Sequence, residues 1–402
     1  MNLPTSRQTL IVGGGIGGLA AALACSRAGS RVALFERTPV FAEVGAGVQL
    51  GPNVMRLLHG WGLQAAMAHV AAFPERLQVR NAVSGAELGV LRLGDAAVAR
   101  YGAPYVTVHR ADLHSVLLAA VQEKPLVELH LNHTVQSFQQ QADQVRLNLC
   151  NGLGALSEIT GDVLVGADGL WSQVRQQLLD DGAPVATGHL AYRGLVRQSS
   201  LPVHLRSQQV TAWLGPRLHV VQYPVRGGEW LNVVAIVHGQ MNGPAENWDH
   251  SANAADLAAH LAGTCAPLQD LVQAMPDWRL WALNFRAPMR NALEQARGRV
   301  ALLGDAAHPM LPYLAQGAGM AVEDAHELGL ALAQAADQRR DMQALLARYA
   351  VKRWQRNARV QARAMRNGQI FHATGWLRWG RDASLKILGE RLLDMPWLYA
   401  KG

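Results

Sequence analysis

The stretch TLIVGGGIGGLAAALACSRAGSRVALFER, Thr9 to Arg37, decides how the rest of the chain is read. Thr9–Val12 is a short β-prone apolar run, Gly13, Gly15 and Gly18 spell GxGxxG, and Ile16 to Ala28 is alanine-rich and helix-forming. A second apolar run, Arg31 to Phe35, ends in Glu36, eighteen residues beyond Gly18. Three glycines alone are a weak signal. Strand, glycine turn, helix, strand and terminal acid together read as a dinucleotide-binding βαβ unit. Gly13 permits the tight turn, Gly15 lets backbone approach a pyrophosphate, and Gly18 lets the helix pack on the sheet. The helix N-terminus offers unpaired N–H groups and positive dipole to phosphates, and Glu36 is placed for the ribose hydroxyls of an adenosine. The motif does not choose between NAD and FAD.

Two later segments narrow the choice. In DVLVGADGLWSQVR, Asp162 to Arg175, an apolar strand runs into Asp168-Gly169, and a helix opens with Ser172 and Arg175 in its first turns. In RVALLGDAAHPMLPYLAQGAGMAVEDA, Arg299 to Ala325, another strand ends in Gly304-Asp305, and a small-residue loop leads to a helix beginning near Gln316 or Gly317. Each aspartate stands at the carboxyl end of a predicted strand, where doubly wound sheets bind ligands. FAD is long, so scattered acids and one arginine can span it. No second GxGxxG with helix and acid follows, so a nicotinamide has no fold of its own here and must dock briefly. The helix after Gly317 and Ala318 can aim its N-terminus at the pyrimidine edge of a reduced, anionic flavin, a charge its dipole favours by up to about 2 kcal/mol.

These motifs, with GAGVQLGPN (Gly45 to Asn53), VHRADL (Val108 to Leu113) and YRGLV (Tyr192 to Val196), resemble the single-component FAD-dependent aromatic hydroxylases over nearly the whole chain. That family includes 3-hydroxybenzoate 6-hydroxylases, to which the likeness is strongest, and salicylate hydroxylases. The resemblance implies resident FAD, NADH or NADPH as transient co-substrate, and a flavin hydroperoxide that hydroxylates an electron-rich ring. It implies that Glu36 and Arg37 hold the adenosine end, that Arg110 meets the diphosphate or the ribityl chain, and that Asp305 bonds ribityl hydroxyls. Asp168-Gly169 would support FAD and the pyridine nucleotide. The expected reaction is 6-hydroxylation of 3-hydroxybenzoate to gentisate, with decarboxylating hydroxylation of salicylate to catechol, or a flavin dehydrogenase on the same scaffold, as alternatives.

A phenol reacts more readily once partly deprotonated, so an acid–base partner is expected near its oxygen. In RLHVVQYPVRGGEW, Arg217 to Trp230, His219, Val221 and Tyr223 alternate onto one face of a strand. The resemblance assigns His219 and Tyr223 to substrate binding and phenol activation. Gln49, counted with the cofactor-binding residues, lies where 6-hydroxynicotinate 3-monooxygenases carry a histidine base. Tyr313 and Gln316 follow His308-Pro309 and are candidates for substrate contact. Pro312 stands where 3-hydroxybenzoate 6-hydroxylases usually carry glutamine, a departure that counts against that substrate.

The reading predicts an α/β fold: a Rossmann-like FAD-binding domain over 1–180 and 285–335, an inserted, mainly β substrate domain over 181–284 with a helical insert at Ala254 to Cys265, and a helical segment over 336–402. Half the 402 residues are apolar and 17% are charged, as in an ordinary globular enzyme. Residues 338–402 hold 14 Lys/Arg against 4 Asp/Glu, leaving 23 against 26 elsewhere, so the net charge of +7 belongs to one segment and argues against a nucleic-acid groove. No proline interrupts Tyr313 to Met395, and Arg348, Lys352, Arg356, Arg359, Arg363 and Arg366 form a basic helical stripe, expected to be a solvated face or, second, to pair with another subunit. Trp376, Trp379, Trp397 and Tyr399 are expected to dock the tail on the body or a partner. Three scattered cysteines exclude a cysteine metal site and suit the cytoplasm; no integral membrane association is expected, and a homodimer is.

Overall fold

The computed structural model describes residues 7–41, 46–239, 250–252, 254–334 and 341–400. They divide into two compact units: Met1–Val44, Leu113–Val185 and Phe285–Arg363 form the first, and Gly45–Asp112, Ala186–Asn284 and Ala364–Gly402 the second. Gly45, in the GAGVQLGPN motif, lies outside the described residues.

The first unit is built on a six-stranded sheet in the order Ala296–Arg297, Val300–Leu302, Val163–Gly166, Gln8–Val12, Arg31–Phe35, Val127–His130. All neighbours are parallel except the first pair. The helix Ile16–Arg27 follows the glycine turn, one residue shorter than the alanine-rich run implied, and Gly317–Ala333 follows the second aspartate loop. Leu10, Val12, Ala33, Phe35, Leu164 and Leu302 alternate along their strands and share a core with Val135, Phe138, Leu147 and Leu149 of a three-stranded antiparallel sheet. An alternation with period two delivers each strand's apolar side to one layer.

The second unit is an eight-stranded sheet in the order His250–Ala252, Trp278–Phe285, Val185–Arg197, Trp230–His238, Leu218–Val225, Val210–Gly215, Arg76–Asn81, Glu87–Arg92. Its long central strands bury Tyr192, Trp213, Val220, Leu231 and Val233 under the helices Ala254–Leu261, where the helical insert was expected, and Ala266–Gln273, which follows it. The predicted block 1–180 is divided: Arg76–Asn81 pairs in parallel with Val210–Gly215, which draws 45–112 into the sheet unit. The tail is divided too. Its long helix, Met342–Phe371, begins in the first unit, and its last turns belong to the second.

The basic stripe is not simply a solvated face. Lys352 Nζ lies 2.7 Å from Glu327, and Arg356 donates to both oxygens of Glu323 at 2.6 and 2.7 Å, so acids of the Gly317–Ala333 helix in the same chain take these charges. The most buried pairing falls on a residue outside the stripe. Buried Arg353 donates to Asp324 at 2.7 Å and to Glu323 at 2.9 Å. Asp324, also buried, bonds His308 Nε2 at 2.5 Å and accepts from Asn357 at 2.9 Å and from the Gly304 N–H at 3.1 Å. Burial alone would raise the Asp324 carboxyl, but the charges of His308 and Arg353 hold it well below the usual carboxylate range.

A carboxylate depressed on folding contributes stability that is present above its unfolded pKa, about 3.9, and is lost as pH falls below that value. Asp324→Asn is therefore expected to cost about 3–5 kcal/mol at neutral pH, because Arg353 is left buried and underpaired. Denaturant titrations from pH 7 down to pH 3 should show a shallower acid limb for the variant than for the parent.

Candidate active site

In the first unit, the parallel register aligns the motifs. Val12 is opposite Phe35 on one side and Gly166 on the other, and Gly166 is opposite Leu302. The residues that follow are Gly13, Glu36, Ala167-Asp168 and Leu303-Gly304-Asp305, so one carboxyl edge collects all three motifs. Gly13 has φ +104°, and a Cβ there would lie 2.4 Å from the Ala167 carbonyl oxygen. Gly15 is the N-cap of the first helix and supplies no side-chain cap. Glu36 Oε2 accepts the Gly14 N–H at 2.6 Å, while Oε1 accepts from the Thr38 N–H and hydroxyl at 2.9 Å, which pins the acid beside the turn. Arg37, next along, is exposed.

Asp168 faces the short helix Gln173–Leu179. It accepts from Ser172 Oγ at 2.5 Å and from the Val174 N–H at 3.2 Å, and burial pushes its carboxyl up against these bonds. Arg175, also buried, donates to the Ala306 and Ala307 carbonyls at 3.1 and 2.5 Å and to Asp181 at 2.6 Å, tying the two aspartate loops together. Asp305 is exposed between buried neighbours, and a Cβ at Gly317 would sit 4.0 Å from its carboxylate. Ala318 follows in the first turn of the Gly317–Ala333 helix. Gln316, the N-cap residue, is buried with Oε1 lacking a hydrogen-bond partner. Tyr313 is buried as well, in the turn Pro312–Leu314, and its phenol is pushed up by burial. Uncapped N–H groups at Gly15, an exposed carboxylate at Asp305 and an orphaned amide oxygen at Gln316 fit a long, phosphate-bearing, polyhydroxylated cofactor.

The second unit separates the two expected catalytic residues. Both lie on Leu218–Val225, but four residues span about 13 Å of strand. Tyr223 bonds Gln49, whose Oε1 also accepts from Tyr105 Oη at 2.5 Å. Gly47 makes room for it: a Cβ there would lie 2.4 Å from Tyr223 Cε2, and its N–H donates to Asn232 Oδ1 at 2.8 Å. Burial pushes the Tyr223 phenol well up, with the charge of Arg193 opposing it. Arg193 lies with Cζ 3.7 Å above the Trp281 ring, its Nε is buried without a partner, and burial lowers it to about 9. His219 instead joins other histidines: its Nδ1 is 2.8 Å from His372 Nε2, Phe371 packs edge-on at 5.4 Å, and burial lowers it to about 3. Arg110 opens the helix Arg110–Gln122, its N–H donating to the Ala46 carbonyl at 2.7 Å.

Tyr105, Arg193 and the histidine partners of His219 were not singled out from the sequence. Arg193 did carry a signal, a lone arginine inside the apolar run of YRGLV. Tyr399 docks as expected, edge-on to Tyr101 and Tyr105 at 5.6 and 6.4 Å, whereas Trp376 and Trp379 are exposed.

A profile of the family described as FAD binding domain matches residues 6–364. The chain is 36% identical over 399 residues to a 3-hydroxybenzoate 6-hydroxylase of Polaromonas naphthalenivorans, covering 98% of this chain and 96% of the relative. It is 35% identical to a 6-hydroxynicotinate 3-monooxygenase of Bordetella bronchiseptica, over 92% and 91% of the two chains. Among solved structures, a salicylate hydroxylase substrate complex superposes with TM-score 0.83 at 28% identity, covering 99% and 96%. Klebsiella pneumoniae HpxO with FAD and uric acid superposes with TM-score 0.82 at 26% identity, covering 96% and 94%. The chain belongs to the FAD-binding-domain family and, within it, to the FAD-dependent aromatic hydroxylases.

Two glycines test the geometry. Gly13→Ala combines a left-handed φ with a backbone clash, so it should cost at least about 1–3 kcal/mol and leave the purified protein with little flavin, read as the flavin-to-protein absorbance ratio. Gly47→Ala should retain flavin but displace Tyr223, raising KM for the aromatic substrate several-fold in steady-state assays.

Proposed function

We propose that this hydroxylase uses NAD(P)H and O2 to hydroxylate a small phenolic carboxylate, with 3-hydroxybenzoate to gentisate as first substrate and salicylate to catechol as second. The observation that carries the reading is Arg193: a half-buried arginine stacked on Trp281, its Nε buried and unpartnered, beside the protonated phenol of Tyr223. A partly desolvated cation of this kind is matched to a carboxylate, which accepts its N–H bonds in a planar, charge-assisted pair. Nearly full-length relatives named for 3-hydroxybenzoate support the choice of ring.

In this reading, Gly13, Gly15, Gly18, Glu36, Arg37, Arg110, Asp168, Asp305, Gly317 and Ala318 hold FAD. Bound FAD, reduced by the nicotinamide, supplies the oxygen chemistry. The first helix meets the pyrophosphate with its uncapped N–H groups, Glu36 the ribose, and Asp305 the ribityl hydroxyls. Arg193 takes the substrate carboxylate, and Tyr223, held protonated by burial, oriented by Gln49 and coupled to Arg193, donates a hydrogen bond to the same carboxylate. His219 is neutral at working pH. A base lowered to about 3 is poorly matched to pulling a proton from a phenol near pH 7, so its part is to hold the phenolic proton by a hydrogen bond rather than to carry it away. Tyr313 and Gln316 are the remaining ring contacts.

No described helix is long and apolar enough to cross a membrane. The reading keeps a cytoplasmic setting, which three unpaired thiols suit, and a homodimer. Sedimentation of the flavin-loaded protein checks the second point.

A panel of hydroxybenzoates, scored for NADH oxidation and product identity, tests the substrate. Gentisate from 3-hydroxybenzoate is expected, and peroxide as the sole product from every acid would overturn the assignment. Arg193→Met should raise KM for the acid about 10- to 100-fold, the loss of a charge-assisted hydrogen bond, yet barely change KM for its methyl ester. His219→Ala should keep its flavin and lose hydroxylation about 2- to 10-fold, the worth of one hydrogen bond between neutral groups.

A further inference from the structure

Four histidines of the second unit stand together, and the hydroxylation reading uses only one. His189 and His238 are direct cross-strand partners in the central sheet. Their ring centroids are 4.4 Å apart, and each lies 5.0 Å from the ring of His372. His372 sits immediately after the long helix Met342–Phe371, where its carbonyl accepts the Arg217 N–H at 3.1 Å and its own N–H reaches the Gly368 carbonyl at 3.2 Å. Two strands and a helix end therefore hold three imidazoles by backbone that is already hydrogen-bonded. One ring nitrogen from each of the three lies within 4.8 Å of the other two, and His238 Nε2 is only 3.0 Å from His372 Nδ1.

We propose that His189, His238 and His372 form a binding site for one divalent transition-metal ion, with Zn2+ the first choice. Three imidazole nitrogens at metal–nitrogen distances of about 2.0–2.1 Å stand about 3.3–3.4 Å apart in a tetrahedral site. The 3.0 Å pair is already close to that spacing, and the His189 nitrogen, within 4.8 Å of both, has at most about 1.5 Å to close. The donor set selects the metal. Imidazole suits zinc, copper and nickel, whereas calcium and magnesium require oxygen ligands.

The burial gradient gives the site an entrance. His372 is buried, His189 is half-buried and His238 is exposed, so an ion approaches past His238 and keeps a fourth position for water. The surroundings also resemble those of a metal ligand. A metal-bound histidine usually bonds a second group through its other ring nitrogen, which fixes its tautomer. His372 offers Nδ1 to the cluster, while its Nε2 is bonded to His219 Nδ1 at 2.8 Å.

The flavin-loaded protein, stripped with a chelator and titrated with ZnCl2 in a calorimeter, should take up one equivalent. Zinc-edge X-ray absorption of that sample should show three imidazoles at about 2.0–2.1 Å. His189→Asn and His238→Asn should each weaken zinc at least tenfold, and the double variant should abolish the stoichiometric event. His69→Asn, at an exposed histidine elsewhere, should leave it intact. MgCl2 should give no heat of binding. Absence of a one-equivalent event, fewer than three imidazoles around zinc in the parent protein, or uptake that survives the double variant would each overturn the site. None of these readouts depends on hydroxylation, so they fail or succeed apart from the substrate assignment.

Discussion

A single register governs the first unit. Four parallel strands end in step, with Val12 beside Phe35 and Gly166, and Gly166 beside Leu302, so the residue after each strand emerges at one edge. A slip of one residue in a parallel pair would turn each side chain to the other face of the sheet, carrying Leu10, Val12, Ala33 and Phe35 out of their shared core. The apolar alternation thus fixes where Gly13, Glu36, Asp168 and Asp305 appear. Arg175 and Asp324 then secure the loops beyond the strands, one bonding the Ala306 and Ala307 carbonyls and the other the Gly304 N–H.

The elements legible in the sequence were those whose cause is local. Glycine spacing, an alanine-rich run and a strand ending in Glu36 lie within thirty residues of one another, and the helix and strand limits came out within a residue. What escaped was set by partners distant along the chain. Gln49 meets Tyr105, Asp324 meets Arg353, and His219 meets His372 across 153 positions. The basic stripe was read only in part: Arg348, Lys352, Arg359 and Arg366 are exposed as a solvated face requires, but the acids that Lys352 and Arg356 meet, Glu327 and Glu323, come from a helix the sequence did not lay beside them. The division of 1–180 escaped too, because Arg76–Asn81 gave no sign that its partner strand begins at Val210.

His219 and Tyr223 show how far face periodicity reaches. It placed both side chains correctly on one side of one strand and said nothing of what each would meet there. One end of the strand delivers a phenol to a glutamine and an arginine, and the other delivers an imidazole to three more imidazoles. The environment, not the residue type, then sets the chemistry: burial keeps Tyr223 protonated and His219 neutral, so both act as hydrogen-bonding groups.

The first unit is assembled from three separate lengths of chain, and its sheet order interleaves them. During synthesis the nucleotide turn emerges ahead of its partner strands. Its neighbour Val163–Gly166 follows only after some 150 more, and Val300–Leu302 later still. Arg353, which neutralises Asp324, comes after those. Until those strands are made the nascent chain carries an open parallel edge, a template for mispairing. Contacts of such long sequence separation also slow folding, and the edge that collects the three motifs is complete only once Val300–Leu302 has joined Val163–Gly166.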